Sequence, residues 1–306
     1  MAWDLKAKPL QLGLIYGVVS GACNGGMAFA VHITPLEIPA SEISFFRAAF
    51  SVLILLPFAY RHKTLWLKRP SITLWLRSLI GAVSVLCFAW NLQHTTVGLA
   101  NTFFNVAPIG VLLIGAAAHF EHLRLTRLLQ LSLVVIASAI FWHGSQQQTS
   151  ALIWIVGIVG MIAASSAYVL LRVVSPIWSA TEITWFLNIA LIPAALALRS
   201  SSWHVPNIRS TVLLAVICLL SVLSNTLANA SFRLLDLSSA AALVPSSIIW
   251  GVSLDVFVHK YPRIEGIAGC VLYALALWLM LYRRGPDRPT FGRVPDTDEI
   301  RLAEER

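Results

Sequence analysis

ANTFFNVAPIGVLLIGAAAHFE, residues Ala100–Glu121, is an apolar run of helix length with Asn101 and Asn105 near its start, Pro108 in its body and a carboxylate at its close. A second stretch, SSAAALVPSSIIWGVSLDVFV (Ser238–Val258), echoes it, with Pro245 in the place of Pro108. In water a proline inside such a helix is costly, because it removes one backbone hydrogen bond and crowds the preceding turn. In a membrane bundle, neighbouring helices and polar side chains satisfy the freed carbonyl. The pair predicts a membrane chain made of two similar halves.

Composition agrees. The chain of 306 residues is 58% hydrophobic and 12% charged, with a mean hydropathy of +0.77. Soluble domains are about a quarter charged. The charges here are clustered, and the windows between them approach the twenty or so apolar residues that cross a bilayer. The fold class expected is an all-α polytopic membrane protein. The net charge of +8 does not point to nucleic acid. Basic residues gather at Arg61–Arg69 and Arg283–Arg284, flanking apolar runs as topology determinants do. Cys23, Cys87, Cys218 and Cys270 fall within apolar runs without CxxC spacing, so packing is their expected role rather than disulfide or zinc chemistry.

Outward from the opening stretch, ten spans are expected. They are Leu12–Ile33, Ser41–Tyr60, Leu74–Gln93, Ala100–Glu121, Leu128–Trp142, Ala151–Val174, Thr181–Leu198, Thr211–Phe232, Ser238–Val258 and Ile264–Tyr282. The first is read as an uncleaved span, since its apolar run continues well past the SGAC motif at Ser20–Cys23. Gly13, Gly17, Gly21 and Gly25 form a smooth stripe along it, suited to close helix packing. The polar loop Gly144–Ser150 divides the halves, giving residues 1–146 and 147–282, followed by a polar tail over 283–306 expected to be disordered.

With the N-terminus in the cytoplasm, ten spans return the C-terminus there. Lys6, Lys8, Arg61, Lys63, Lys68, Arg69, Arg77, Arg124, Arg127, Arg172, Arg233 and the tail arginines then lie inside. Arg199, Arg209, Lys260 and Arg263 lie outside, and Arg47 remains in the membrane. That imbalance sets the orientation. Five spans per half force the halves into opposite orientations. Ala40, Glu42 and Ile43 recur as Ala180, Glu182 and Ile183, each opening the second span of its half, and Gly17 recurs as Gly157. Inverted repeats of this kind characterise secondary transporters.

The second-span FFRAAFSVLILLP with Arg47 and Pro57, the fourth-span ANTFFNVAP ending in Glu121, and the ninth-span echo around Pro245 together resemble the drug/metabolite transporter superfamily, in particular its EamA-type ten-span members. The resemblance implies two inverted five-helix repeats around a central cavity, lined mainly by the third, fourth, eighth and ninth spans. It also implies a place in the inner membrane, and export of small amino-acid-like or amino-acid-derived metabolites by alternating access, opine-type metal chelators among them. A rival within the resemblance is uptake of a nucleoside-like or cationic metabolite such as S-adenosylmethionine. No GxxxxGK[ST] loop is present, and no cofactor is expected. The expected partners are a small-molecule solute, the lipid bilayer and a coupling ion such as a proton. Where the family often has a second glutamate, this chain has Val258, with Asp255, His259 and Lys260 nearby.

An ionisable residue inside a membrane is expensive, so Arg47 either draws an anionic group or caps and snorkels at the interface. Glu121, near His122 and Arg124, is expected to gate the cytoplasmic mouth rather than couple protons; Asp255 either couples protons or pairs with Lys260 or Arg263. His119 and His122 lack a convergent third ligand, so no metal site is expected. The buried amides are the better substrate candidates: Asn24, Asn91, Asn101, Asn105, Asn188, Asn225 and Asn229 each need a partner in hydrocarbon. With Trp90, Phe103, Tyr168, Trp185 and Trp250 they are expected to wall a cavity for a zwitterion. A strongly charged anion fits this expectation less well, because only Arg47 counts as a buried cation. Catalytic motifs such as HExxH or GxSxG are absent, which speaks against an intramembrane enzyme. A scaffold without transport activity is the remaining class.

Overall fold

A computed structural model describes residues 4–61, 70–117, 132–133, 136–137, 139–140, 150–199, 203, 207–235, 237–244, 246–259, 267–272 and 274–275. Every element assigned among them is a helix. In chain order they are α1 (Asp4–His32), α2 (Ala40–Arg61), α3 (Ile72–His94), α4 (Val97–Ala117), α5 (Ala151–Val174), α6 (Ala180–Ala197), α7 (Ile208–Leu234), α8 (Leu237–Leu243) and α9 (Ser246–His259). Six are long and apolar enough to cross a membrane: α1, α2, α3, α5, α6 and α7, with mean hydropathies from 1.4 to 2.2. The protein is a multi-pass helical membrane protein. Most of the fifth and tenth expected spans, the tail, Pro245 and Glu121 lie outside the described residues.

Local chemistry sets the helix ends. Ser71 caps α3 by accepting from the Leu74 amide at 3.3 Å, and Asn207 caps α7 by accepting from the Ser210 amide at 2.9 Å. Ser179 and Glu182 form a reciprocal capping box on α6: the Ser179 hydroxyl accepts from the Glu182 amide, and the Glu182 carboxylate accepts from the Ser179 amide at 2.7 Å. Prolines sit inside α2 (Pro57), α4 (Pro108) and α6 (Pro193), whereas α3 has none. The second proline stretch behaves differently from the first. α4 runs through Pro108 unbroken, but the ninth expected span divides into α8 and α9 on either side of Val244 and Pro245. α8 ends at Leu243, Val244 forms a turn and α9 begins at Ser246, with Pro245 outside the described residues.

The helices pack in pairs. α1 lies along α7, α3 along α5 and α2 along α6, while α1 also crosses α9 and α4 leans on α5. Hydrogen bonds pin these pairs, with Ser20 Oγ donating to the Ser224 carbonyl and Ser231 Oγ to the Gly13 carbonyl, both at 2.8 Å, and Ser165 Oγ to the Ala107 carbonyl at 3.0 Å. The glycine stripe of α1 is a packing surface. A β-carbon on Gly25 would fall 2.8 Å from the Gly251 amide nitrogen, so α1 and α9 meet backbone to backbone.

Candidate functional site

The charge that stands out inside the bundle is Arg77. It had been counted with the cytoplasmic loops, yet it lies in the second turn of α3 and is 5% exposed. Its Nη2 donates to Asn229 Oδ1 of α7 at 3.1 Å. Asn229 Nδ2 in turn donates to Thr184 Oγ1 of α6 at 2.8 Å, and Thr184 Oγ1 donates to the Ala180 carbonyl at 2.8 Å. Three helices are thus joined through one buried polar chain. The Arg77 Nε and Nη1 atoms have no hydrogen-bond partner among the described residues. One turn along α6, Asn188 spends its amide nitrogen on the Thr184 carbonyl at 2.8 Å and leaves Oδ1 unpaired. The Trp185 indole nitrogen is buried and unpaired too among the described residues.

Aromatic rings surround this centre. Phe186 takes edge contacts from Trp75, Trp178 and Trp185 with centroids 5.4, 5.7 and 5.4 Å away. Tyr168 of α5 stacks on Phe232 at 4.9 Å and approaches the Arg77 guanidinium. Leu74, Ile183, Phe186 and Phe232 belong to one buried apolar cluster beside it. A polar chain in such surroundings is strengthened by the low dielectric, and every unmade bond there is expensive.

The expected substrate residues divide into two groups rather than lining one wall. Asn229 and Tyr168 lie at Arg77, Asn188 bonds back to Thr184 on α6, and Trp185 meets Phe186. Trp90, Asn91, Asn101 and Phe103 lie at the junction of α3 and α4, and positions 77 and 91 are about 21 Å apart along the α3 axis at 1.5 Å per residue. There Asn91 is fully buried with neither amide atom paired among the described residues. Asn101 donates to the Val97 carbonyl at 2.8 Å and keeps Oδ1 unpaired. Phe103 meets Trp154 edge-on at 5.2 Å and covers Gly157, and Trp90 stacks on His94 at 4.0 Å.

The remaining expected residues fall elsewhere. Arg47 of α2 is 6% exposed, close to Cys218 of α7, with Nε unpaired. Asn225 is half-buried and donates weakly to Ser221 Oγ at 3.5 Å. Asn24 is half-buried on α1. Trp250 is 46% exposed over the crossing of α1 and α9. Asn105 and Asp255 lie on α4 and α9, with side chains outside the described set, as is Glu121. No group of three potential metal ligands occurs among the described residues.

Arg77 and Thr184 were missed by sequence reasoning. A signal was present: Arg77 falls inside the apolar run that opens at Leu74, four residues after the loop residue Pro70. Charge counting assigned it to the loop because loop arginines are commoner than buried ones. Thr184 gave no signal, since threonine is an ordinary residue of apolar helices.

The bundle holds a buried arginine and buried amides beside aromatic rings. The chain matches the EamA-like transporter family over residues 11–142. It is 23% identical over 270 residues to the pseudopaline exporter CntI of Pseudomonas aeruginosa (strain UCBPP-PA14), covering 87% of this chain and 95% of that protein. An uncharacterized transporter of Helicobacter pylori (strain J99) is 22% identical over 260 residues, covering 80% of this chain and 87% of the other. A solved crystal structure superposes with a TM-score of 0.71 at 11% identity, covering 92% of this chain and 99% of that one, a likeness of fold.

Proposed function

We propose that the protein is a secondary active exporter of the inner membrane, carrying small amino-acid-like or amino-acid-derived metabolites, opine-type metallophores among them. The observation that carries this reading is the polar chain Arg77–Asn229–Thr184, set beside the unpaired groups of Asn188 and Trp185 and walled by aromatic rings. A zwitterion offers a carboxylate to the guanidinium and an ammonium to the amide oxygens and ring faces. The likeness to an exporter of pseudopaline along most of both chains supports the direction and the cargo class.

Alternating access in this reading is a rocking of two inverted five-helix repeats, residues 1–146 and 147–282, with both termini in the cytoplasm. The pairing of helices supports it. Inverted repeats would make α1 on α7 equivalent to α5 on α3, and α1 on α9 equivalent to α5 on α4, and all four packings occur. Gly17 packs beneath Leu243 and Gly157 beneath Phe103, as equivalent positions should. Asn24, Arg47, Asn105, Asn225 and Trp250 belong to the solute path in this scheme, together with the group at the junction of α3 and α4. Glu121 gates the cytoplasmic mouth, and Asp255 is the candidate for coupling.

Flux into proteoliposomes from a panel of labelled amino acids and opine-like zwitterions tests the proposal. Saturable counterflow of at least one is expected. If no amino-acid-like solute gives saturable flux, the cargo class is wrong.

A further inference from the structure

Among the described residues, no carboxylate pairs with Arg77, and its one hydrogen-bond partner is a neutral amide. Among the described residues the Nε and Nη1 atoms make no hydrogen bond, although the side chain is almost wholly buried. A guanidinium presents its donors in a planar fork that matches the two oxygens of a carboxylate. Asn229 holds the Nη2 side of that fork, and Thr184 holds Asn229, so the guanidinium is anchored on one edge and its other donors are left for a ligand. A buried cation with donors unmade is a costly arrangement for a purely structural role. Arg47, the cation expected from sequence, differs: no hydrogen bond joins its guanidinium to another helix among the described residues.

We propose that Arg77 is an anion-binding residue that receives a carboxylate of the transported solute, with Asn229 and Thr184 as positioning residues that aim its guanidinium. This deepens the transport reading and rests on it: the solute must carry at least one free carboxylate. Strongly anionic cargo, which a single buried arginine seemed to disfavour, becomes compatible with the bundle. The Asn188 Oδ1 and Trp185 Nε1 atoms, one acceptor and one donor, are the next polar groups along α6 that such a solute would meet.

The test uses the full-length protein in liposomes and does not require the natural solute. Phenylglyoxal, an arginine reagent, is applied with acetate or glutamate present, and in parallel with acetamide or glutamine at matched ionic strength, with adducts mapped by mass spectrometry. Arg77 is expected to react, and the two carboxylates to slow its labelling several-fold while the two amides do not. Arg233, exposed near the end of α7, is the internal control and should react equally in all samples. An Arg77 that never reacts, or that reacts equally with and without carboxylates, overturns the proposal; so does protection that Arg233 shares. The two readings fail separately. Selective protection without flux of any zwitterion leaves the anion site standing and removes the amino-acid cargo. Zwitterion flux without selective protection does the reverse.

Discussion

Arg77 of α3 and Asn229 of α7 meet at 3.1 Å inside the bundle, and the asparagine passes the interaction on to Thr184 of α6 at 2.8 Å. Residues from opposite halves of the sequence therefore share one buried cation. Removing the middle member takes from Arg77 its one hydrogen-bond partner among the described residues, while Thr184 keeps its bond to the Ala180 carbonyl. Asn229→Ala is expected to cost about 1.5–3 kcal/mol, the range for a hydrogen bond to a charged group. Thermal unfolding in detergent should show the loss, and a melting temperature equal to wild type would mean that the chain carries no load.

Gly25 and Gly251 allow α1 and α9 to touch through their backbones. Gly25→Val puts carbon atoms where the Ser247 carbonyl and Gly251 amide now lie, and neither is a flexible side-chain end. Overpacking of this sort costs about 1–3 kcal/mol. The expected result is a lower yield of monodisperse protein and a lower melting temperature. Unchanged values for both would show that the crossing is looser than described.

Asn101 and Trp90 belong to the group at the junction of α3 and α4. If that group contacts the solute, a transported zwitterion should raise the melting temperature of wild-type protein and fail to do so for Asn101→Ala or Trp90→Ala. A scaffold without transport activity would show no solute-dependent shift in any version. Retention of the full shift in both variants removes this group from the solute path.

Glu121 and Val258 close the two proline-bearing stretches and hold equivalent places in the proposed repeats. Glu121→Gln is expected to slow export by about tenfold, the effect of losing about 1.4 kcal/mol at the gate, with Val258→Ala close to wild type. Initial rates in proteoliposomes compare them, and equal rates would argue against a gating carboxylate.

Orientation is checked most simply at the ends. Green fluorescent protein fused after Arg306 should fluoresce and alkaline phosphatase fused there should be inactive, because the tail is expected in the cytoplasm. The opposite pattern would invert the proposed topology.

The membrane class was legible because apolar windows and clustered charge follow directly from bilayer thickness. The ends of α5 matched the expected span, and those of α2, α3, α6 and α7 fell within about three residues of it, since caps such as Ser71, Ser179 and Asn207 leave a local signature. The amides were legible as buried, because hydrocarbon forces Asn91, Asn101, Asn188 and Asn229 to find company. Which of them gather was not legible. Asn229 and Asn188 both bond to Thr184, on the α6 side of Arg77, while Asn91 and Asn101 sit at the other end of α3, and only the register between helices decides that. Arg77 was hidden by its position: six residues into a helix, an arginine looks the same in sequence whether it snorkels outward or turns inward. The break before α9 was hidden for a related reason. Pro108 and Pro245 stand in similarly apolar sequence, which does not distinguish a helix that runs on from one that ends at Leu243.

α3 carries both polar groups and has no proline along its 23 residues, and only Thr95 and Thr96 separate it from α4. It is the stiff beam of the bundle. Arg77 and Asn91 ride on the same rod, so a tilt of about 10° would displace one by roughly 4 Å relative to the other, given their separation along the helix. With so short a connection, α4 must follow. On the proposed transport reading, a solute that draws Arg77 toward itself levers Asn91, Trp90 and the start of α4 at the far end of the same rod.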